Sequence, residues 1–289
     1  SFAIIIAGIC SVFIFPSKTL AANCNLPANS GNTIVDIVPS GPKLYAIASN
    51  QLTSINTASN YVSNFTELPT TATFIEKVGN KLYVGTQGAN VSVVDVTNDS
   101  IVAAIPAGNS QVDSVVLGHK LYVSSNGAGN VTVINTLNDT VMATIPLGAS
   151  AERMILVGTK LYVIDGTDNV VYAINTLTNA LVATIPVGTQ PYSIHAIGNK
   201  VYTTNLGSDD VSVINTDTNA IVATIPVGDA PQNGAVVGTK LYVNNSGDGD
   251  VSVINSATDS VIGTHAVGTG PKDSVVVGTD IYIDNGGDD

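Results

Sequence analysis

Residues 241–255 read LYVNNSGDGDVSVIN. Counted from Asn244, oxygen-bearing side chains alternate and Gly249 falls sixth, the pattern of a calcium loop. A helix-flanked loop of that kind needs a bidentate Glu in its twelfth place, and that place holds Asn255. The flanks, LYV and VSVIN, are β-branched and aromatic, so the segment reads as two strands joined by a polar hairpin. Equivalent stretches upstream, SSNGAGN at 124–130 and TNLGSDD at 204–210, keep the flanking strands and lose the oxygen pattern.

The stretch recurs. LYA, LYV, LYV, LYV, VYT, LYV and IYI follow Lys43, Lys81, Lys120, Lys160, Lys200, Lys240 and Asp280, a spacing of 38 to 40 residues. In step with them, LTSIN, VSVVD, VTVIN, VYAIN, VSVIN and VSVIN end at Asn56, Asp95, Asn135, Asn175, Asn215 and Asn255. IPAG, IPLG, IPVG, IPVG and HAVG close five of the units. Within a unit the runs are short, rich in Val, Ile, Thr and Tyr, and bounded by Gly, Asn or Asp, with no sustained helical period. Four strands at a period near 40 predict an all-β chain, a β-propeller of about seven four-stranded blades.

Naming the strands A to D from the axis outwards, blade 5 is expected to place A at 192–197, B at 200–204, C at 211–215 and D at 220–225. The blades fall near 33–69, 72–106, 112–146, 152–186, 192–226, 232–267 and 272–289. The last has only its A and B strands before Asp289, and the unpaired edge this leaves predicts further strands beyond it. The glycine ahead of each basic residue (Gly79, Gly118, Gly158, Gly198, Gly238) sits in the A–B turn, where positive φ favours it. Pro39, Ser40, Gly41 and Pro42 predict a distorted A–B turn in blade 1.

LYVNN, VYTTN and LYVSS, followed by VSVIN and IPVG, resemble the YVTN-type β-propeller repeat over about residues 33–289. The resemblance implies a secreted or cell-surface protein with surface-layer, adhesive or periplasmic binding roles more often than a defined catalytic one. Blade 1 departs from the pattern, with FTELPT in place of the IPVG closure.

SFAIIIAGICSVFIF at the start is too short for a comfortable membrane span, and PSKTLAAN after it offers small residues where a signal peptidase cuts. Residues 1–22 are therefore expected to be a secretory signal and 23–32 a linker, with no membrane span after processing. Secretion, the cell surface or the periplasm is the expected location. Cys10 would leave with the signal. Cys24 then stands alone, free or lipidated, with no internal disulfide.

The formal charge of −12 argues against nucleic acid as a partner. Six of the ten basic residues occupy the recurring slot, which leaves no basic patch. The chain has no Trp, no CxxCH and no paired histidines, so neither a quinone cofactor nor haem is expected, and no other cofactor. Three scattered histidines give no metal site. Asp168, Asp209, Asp248 and Asp250 in the B–C loops form an acidic rim that also suits ordinary turn chemistry.

Function in a propeller commonly sits where strand A begins. There the copies disagree: Thr73-Phe74, Val112-Asp113, Glu152-Arg153, Tyr192-Ser193, Gln232-Asn233 and Lys272-Asp273. Scaffold positions repeat because each blade solves the same packing problem, whereas an axial site has no reason to be symmetric. Phe74, Asp113, Glu152, Arg153, Tyr192, Gln232, Asn233, Lys272 and Asp273 are the candidate ligand-binding residues. The expected function is a non-catalytic binding or surface-structural module for an envelope or extracellular protein, a peptide or a carbohydrate. The alternative is a lyase or lactonase that uses His195 with Glu152 or Asp113, with or without a divalent metal. Convergence of His195 with either carboxylate discriminates the two.

Overall fold

The computed structural model describes residues 3–7, 10–15, 18–19 and 34–286. Within the expected leader, Ala3–Ala7, Cys10–Phe15 and Lys18–Thr19 form a small antiparallel sheet. The linker 23–32 with Cys24, and the terminal Asp288 and Asp289, lie outside the described residues. The rest is six four-stranded antiparallel sheets and one two-stranded sheet, each ordered as its strands occur in the chain. This is the blade set of a β-propeller, at 36–67, 72–106, 111–146, 154–186, 191–226, 231–266 and 271–285.

The chain divides into two compact units. One comprises Ser1–Gly127 and Thr132–Thr144 and holds blades 1 and 2 and most of blade 3; the other comprises Ala128–Val131 and Ile145–Asp289 and holds blades 4 to 6 and the two-stranded sheet. Within each unit the A strands of successive blades are neighbours.

Blade 5 shows how sequence becomes sheet. Its strands are Pro191–Ile197, Lys200–Asn205, Asp210–Asn215 and Ala220–Pro226. Strands B and C are buried almost end to end, while D is mostly exposed. A strand covered on both faces needs no polar alternation, and VSVIN and its copies accordingly read as nearly continuous apolar runs. The core lies between blades: Tyr45, Ile47 and Leu52 of blade 1 pack with Ile75, Leu82 and Val94 of blade 2, and Tyr162, Ile164 and Val171 of blade 4 with Ile194, Val201 and Ile214 of blade 5.

Turn chemistry fixes the register. Gly158 adopts φ +59 in the A–B turn of blade 4, a conformation in which L side chains are strained. In the C–D turns the last strand-C residue accepts from the backbone, as Asn175 Oδ1 does from Leu177 N (2.9 Å) and Thr178 N (3.2 Å). The residue closing the turn is left-handed: Asn60, Asp99, Asp139, Asn179, Asn219 and Asp259 have φ between 47 and 62. Asn and Asp tolerate that conformation best among residues with side chains.

Two expectations are corrected. The prolines of blade 1 do not distort its A–B turn: Asp36–Ser40 pairs with Lys43–Ala48 in unbroken register, because Gly41 takes φ 57 and Pro42 falls outside the ladder. In blade 4, strand A begins at Met154 and not 152. Glu152 and Arg153 are nevertheless held by backbone bonds with Ile164 of strand B (2.9 and 3.0 Å).

The recurring lysine has a structural role, shared with the tyrosine two residues on. Lys43 Nζ lies 2.8 Å from Asp99 Oδ1 in the C–D turn of blade 2, and Tyr45 Oη donates to the same oxygen at 2.5 Å. Lys81 and Tyr83 meet Asp139 in the same way, Lys160 and Tyr162 meet Asn219, and Lys200 and Tyr202 meet Asp259. These tyrosines are wholly buried and their hydroxyls are pushed above the ordinary range, first by burial and, where Asp is the acceptor, further by the carboxylate. Each clamp ties one blade to the next.

Candidate functional site

The acids of the B–C loops serve the scaffold. Asp168 Oδ2 accepts from Ala149 N (3.2 Å), Asp209 Oδ1 from Ala230 N (3.0 Å) and Asp248 Oδ2 from Asp229 N (2.9 Å), each stapling a B–C loop to a D–A loop. Asp250 Oδ1 accepts from Asn245 Nδ2 at 2.7 Å. Asp165, fully buried, collects Ser150 N and Oγ, Thr167 N, Asp168 N and Tyr172 Oη. Burial alone would raise its pKa, but these donors outweigh it and hold the carboxyl below the usual value. Among the described residues no three His, Cys, Asp or Glu side chains are grouped as a metal site requires.

In the first unit, Phe74 is a core residue. Its ring packs with Tyr83, Val91 and Val93 and fills the space where Gly85 has no side chain; a Cβ there would lie 2.1 Å from it. Asp113 is half-buried and caps Ser114 N at 2.7 Å. Asp36 and Glu76, on neighbouring A strands, were not singled out by sequence. Burial raises the pKa of Glu76, and the negative charges of Asp36 and Asp113 raise it further. Burial also raises Asp36, against bonds from Ile75 N (3.1 Å) and Ile37 N (2.7 Å). Counting back from the A–B glycine would have found both: Glu76 precedes Gly79 by the same interval that separates His195 from Gly198, and Asp36 stands to Gly41 as Asp113 does to Gly118.

The second unit brings most of the remaining candidates together. Arg153 stacks on the Tyr192 ring, 4.2 Å from its centroid, and donates to the Tyr192 carbonyl. Asn233 Nδ2 donates to Asp273 Oδ1 at 2.6 Å, and Gln232 Nε2 to Ser246 Oγ at 3.1 Å. Lys272 and Asp273 are exposed, and Arg153, Tyr192, Gln232 and Asn233 are half-buried. Glu152 accepts from Ser150 Oγ at 3.3 Å and is pushed up, mainly by burial.

His195 Nε2 lies 3.1 Å from Ser193 Oγ. Burial, then the Arg153 charge, push the imidazole down to about 4, with Asp273 opposing. It is therefore neutral at pH 7. Within the second unit the imidazole's hydrogen-bond partner is the Ser193 hydroxyl. A serine at this distance from a histidine suggests a nucleophile, but Ser193 is 1% exposed. Its hydroxyl is also 2.9 Å from Thr204 Oγ1 and 3.1 Å from the Gln232 carbonyl, so it is sealed into a polar seam between strands and closed to substrate. The outward groups beside it offer an aromatic face, a stacked guanidinium, two amides and charges of both signs, which suits recognition of a polar extended ligand.

No protein-family model matches the chain, and no curated protein matches it. Among solved structures the chain resembles the crystal structure of BamB from Moraxella catarrhalis, with a TM-score of 0.76 at 15% identity over 89% of this chain and 81% of that one. At that identity the likeness shows a shared β-propeller fold.

Proposed function

We propose that the chain is an exported, non-catalytic β-propeller that binds a peptide or carbohydrate segment of an envelope or extracellular partner. The contact surface is the start of the A strands in the second unit, around Arg153, Tyr192, Gln232, Asn233, Lys272 and Asp273. One observation carries the reading: Arg153 is held on the Tyr192 ring at a partly open, non-repeating site, whereas the recurring lysines of blades 1, 2, 4 and 5 are spent on clamps between blades. The burial of Ser193 and of His195 beside it, with the serine hydroxyl taken up by Thr204 and the Gln232 carbonyl, favours binding over turnover. The YVTN-type assignment rests on LYVNN, VYTTN and VSVIN, and export on the apolar run at residues 1–15 followed by small residues.

The test is an array of glycans and peptides probed with the soluble chain, with each captured ligand examined afterwards by mass spectrometry. Binding of a defined class with the ligand recovered intact supports the proposal. Cleaved or rearranged ligand, with the change abolished in His195→Ala, would replace binding with catalysis.

A further inference from the structure

Among the described residues, Asn-x-Ser/Thr triplets begin at Asn64, Asn90, Asn98, Asn130, Asn138 and Asn244. An asparagine of such a triplet can take a sugar only where its amide is open to an external catalyst and the hydroxyl two residues on can reach it. The fold disqualifies Asn64, Asn90, Asn130 and Asn244. Asn244 is 0% exposed, and Ser92 and Thr132, the hydroxyl residues that follow Asn90 and Asn130, are at 2%. Thr66, which follows Asn64, spends its Oγ1 on the Asp99 carbonyl at 2.6 Å.

Asn98 and Asn138 remain, in the C–D turns of blades 2 and 3, and both are exposed together with Ser100 and Thr140. Ser100 Oγ donates to Asn98 Oδ1 at 2.8 Å, and Thr140 Oγ1 to Asn138 Oδ1 at 2.8 Å. Among the described residues neither amide nitrogen makes a hydrogen bond, so both Nδ2 groups are available. The clamps hold the two triplets in place: Asp99 and Asp139 turn inward to Lys43 and Lys81, and the residues on either side face outward. The turn itself does not require asparagine in this slot. Thr178, Thr218 and Thr258 occupy it in blades 4 to 6, and the left-handed residue that follows is kept in every case.

We propose that Asn98 and Asn138 are acceptors for N-linked glycans, an inference that rests on the export of the chain. The co-reactant is a glycan carried on a lipid diphosphate, with an external transferase as catalyst. Nδ2 forms a bond to C1 of the first sugar, the bond from C1 to the diphosphate oxygen breaks, the lipid diphosphate leaves, and one Nδ2 proton passes to a base. The hydroxyl on Oδ1 stabilises the negative charge that gathers on the amide oxygen as that proton leaves. No oxidation or reduction is involved.

The test is glycopeptide mapping, by mass spectrometry with electron-transfer fragmentation, of the chain purified from its own cells, together with the fraction in which it is recovered. Glycan on Asn98 and Asn138, with Asn90, Asn130 and Asn244 bare, is the expected result. Asn98→Gln and Ser100→Ala should each remove one glycan mass from the intact chain, whereas Ser100→Thr should keep it. These positions are exposed, so the variants keep the fold, which circular dichroism checks. A chain recovered outside the cytoplasm with both asparagines bare would overturn this inference and leave export standing. A chain recovered in the cytoplasm would overturn both. Glycan retained on Asn98 in Ser100→Ala would also overturn it, because the sugar would then be attached by other chemistry.

Discussion

Asp99 offers a test of the clamps with its own internal control. Its carboxylate is 7% exposed and accepts from Lys43 Nζ (2.8 Å), Tyr45 Oη (2.5 Å) and Ser54 Oγ (3.0 Å). Asp99→Ala strands a wholly buried tyrosine hydroxyl and a lysine, and forces alanine to φ 57. Breaking a largely buried ion pair costs about 3–5 kcal/mol, and about 1 of that here is the left-handed backbone. Asp99→Asn retains an acceptor and tolerates the backbone, and Asn219 already fills the same place against Lys160 and Tyr162, so it costs about 1 kcal/mol. With an m-value of about 2 kcal/mol/M, the urea midpoint falls by about 2 M for Asp99→Ala and about 0.5 M for Asp99→Asn. Fluorescence and circular dichroism must give coincident transitions for these conversions to hold. The pH dependence adds a sign. Burial opposes ionisation of Asp99, but the three donors win and hold its pKa below 3.8, so the carboxylate's advantage over Asn is present at neutral pH and shrinks as pH falls below about 4. Equal losses for the two variants, or a loss under about 1 kcal/mol for Asp99→Ala, would refute the clamp as a stabilising device.

His195 predicts a second pH effect of different range. The unfolded imidazole takes a proton below 6.5 and the folded one only near 4, so stability falls as pH drops through that window, by at most about 3 kcal/mol. His195→Gln should lack that slope in urea titrations run at successive pH values; an identical slope would show that His195 is protonated in the fold. Gly158→Ala meets no atom within 4 Å yet must hold φ +59, so it should cost about 1 kcal/mol in thermal melts, and Gly158→Asn less. A neutral Gly158→Ala would mean that the turn relaxes. Tyr202→Phe leaves Asp259 its lysine and removes one hydrogen bond of 2.9 Å, a loss of about 1–2 kcal/mol measured the same way. No loss would mean that the buried hydroxyl contributes nothing.

The repeat made the fold legible because seven imperfect copies carry one packing problem. Blade 5 strand ends match expectation to within one residue, since Gly198 and the turn 216–219 punctuate the strands with backbone requirements that few residues meet. The clamps were not legible. The recurring lysines read as scaffold, but Lys43 and Asp99 stand 56 residues apart, more than one full period, so the partner in the next blade left no local mark. The site was partly legible. Arg153 and Tyr192 were found as departures from the repeat, but the neighbours of His195 include the Gln232 carbonyl reached through Ser193, and a backbone acceptor leaves no mark in sequence. Phe74 was misplaced at the ligand surface because the space it fills is made by Gly85 on the next strand.

The central claim is that the A-strand surface of the second unit binds a ligand through Arg153 on Tyr192. Its most direct test is the affinity of the array-selected ligand for the wild-type chain and for Arg153→Ala, measured by calorimetry. Losing the stacked guanidinium should weaken binding about tenfold or more, with the fold and thermal stability nearly unchanged. Unchanged affinity would place the ligand elsewhere on the propeller and contradict the account.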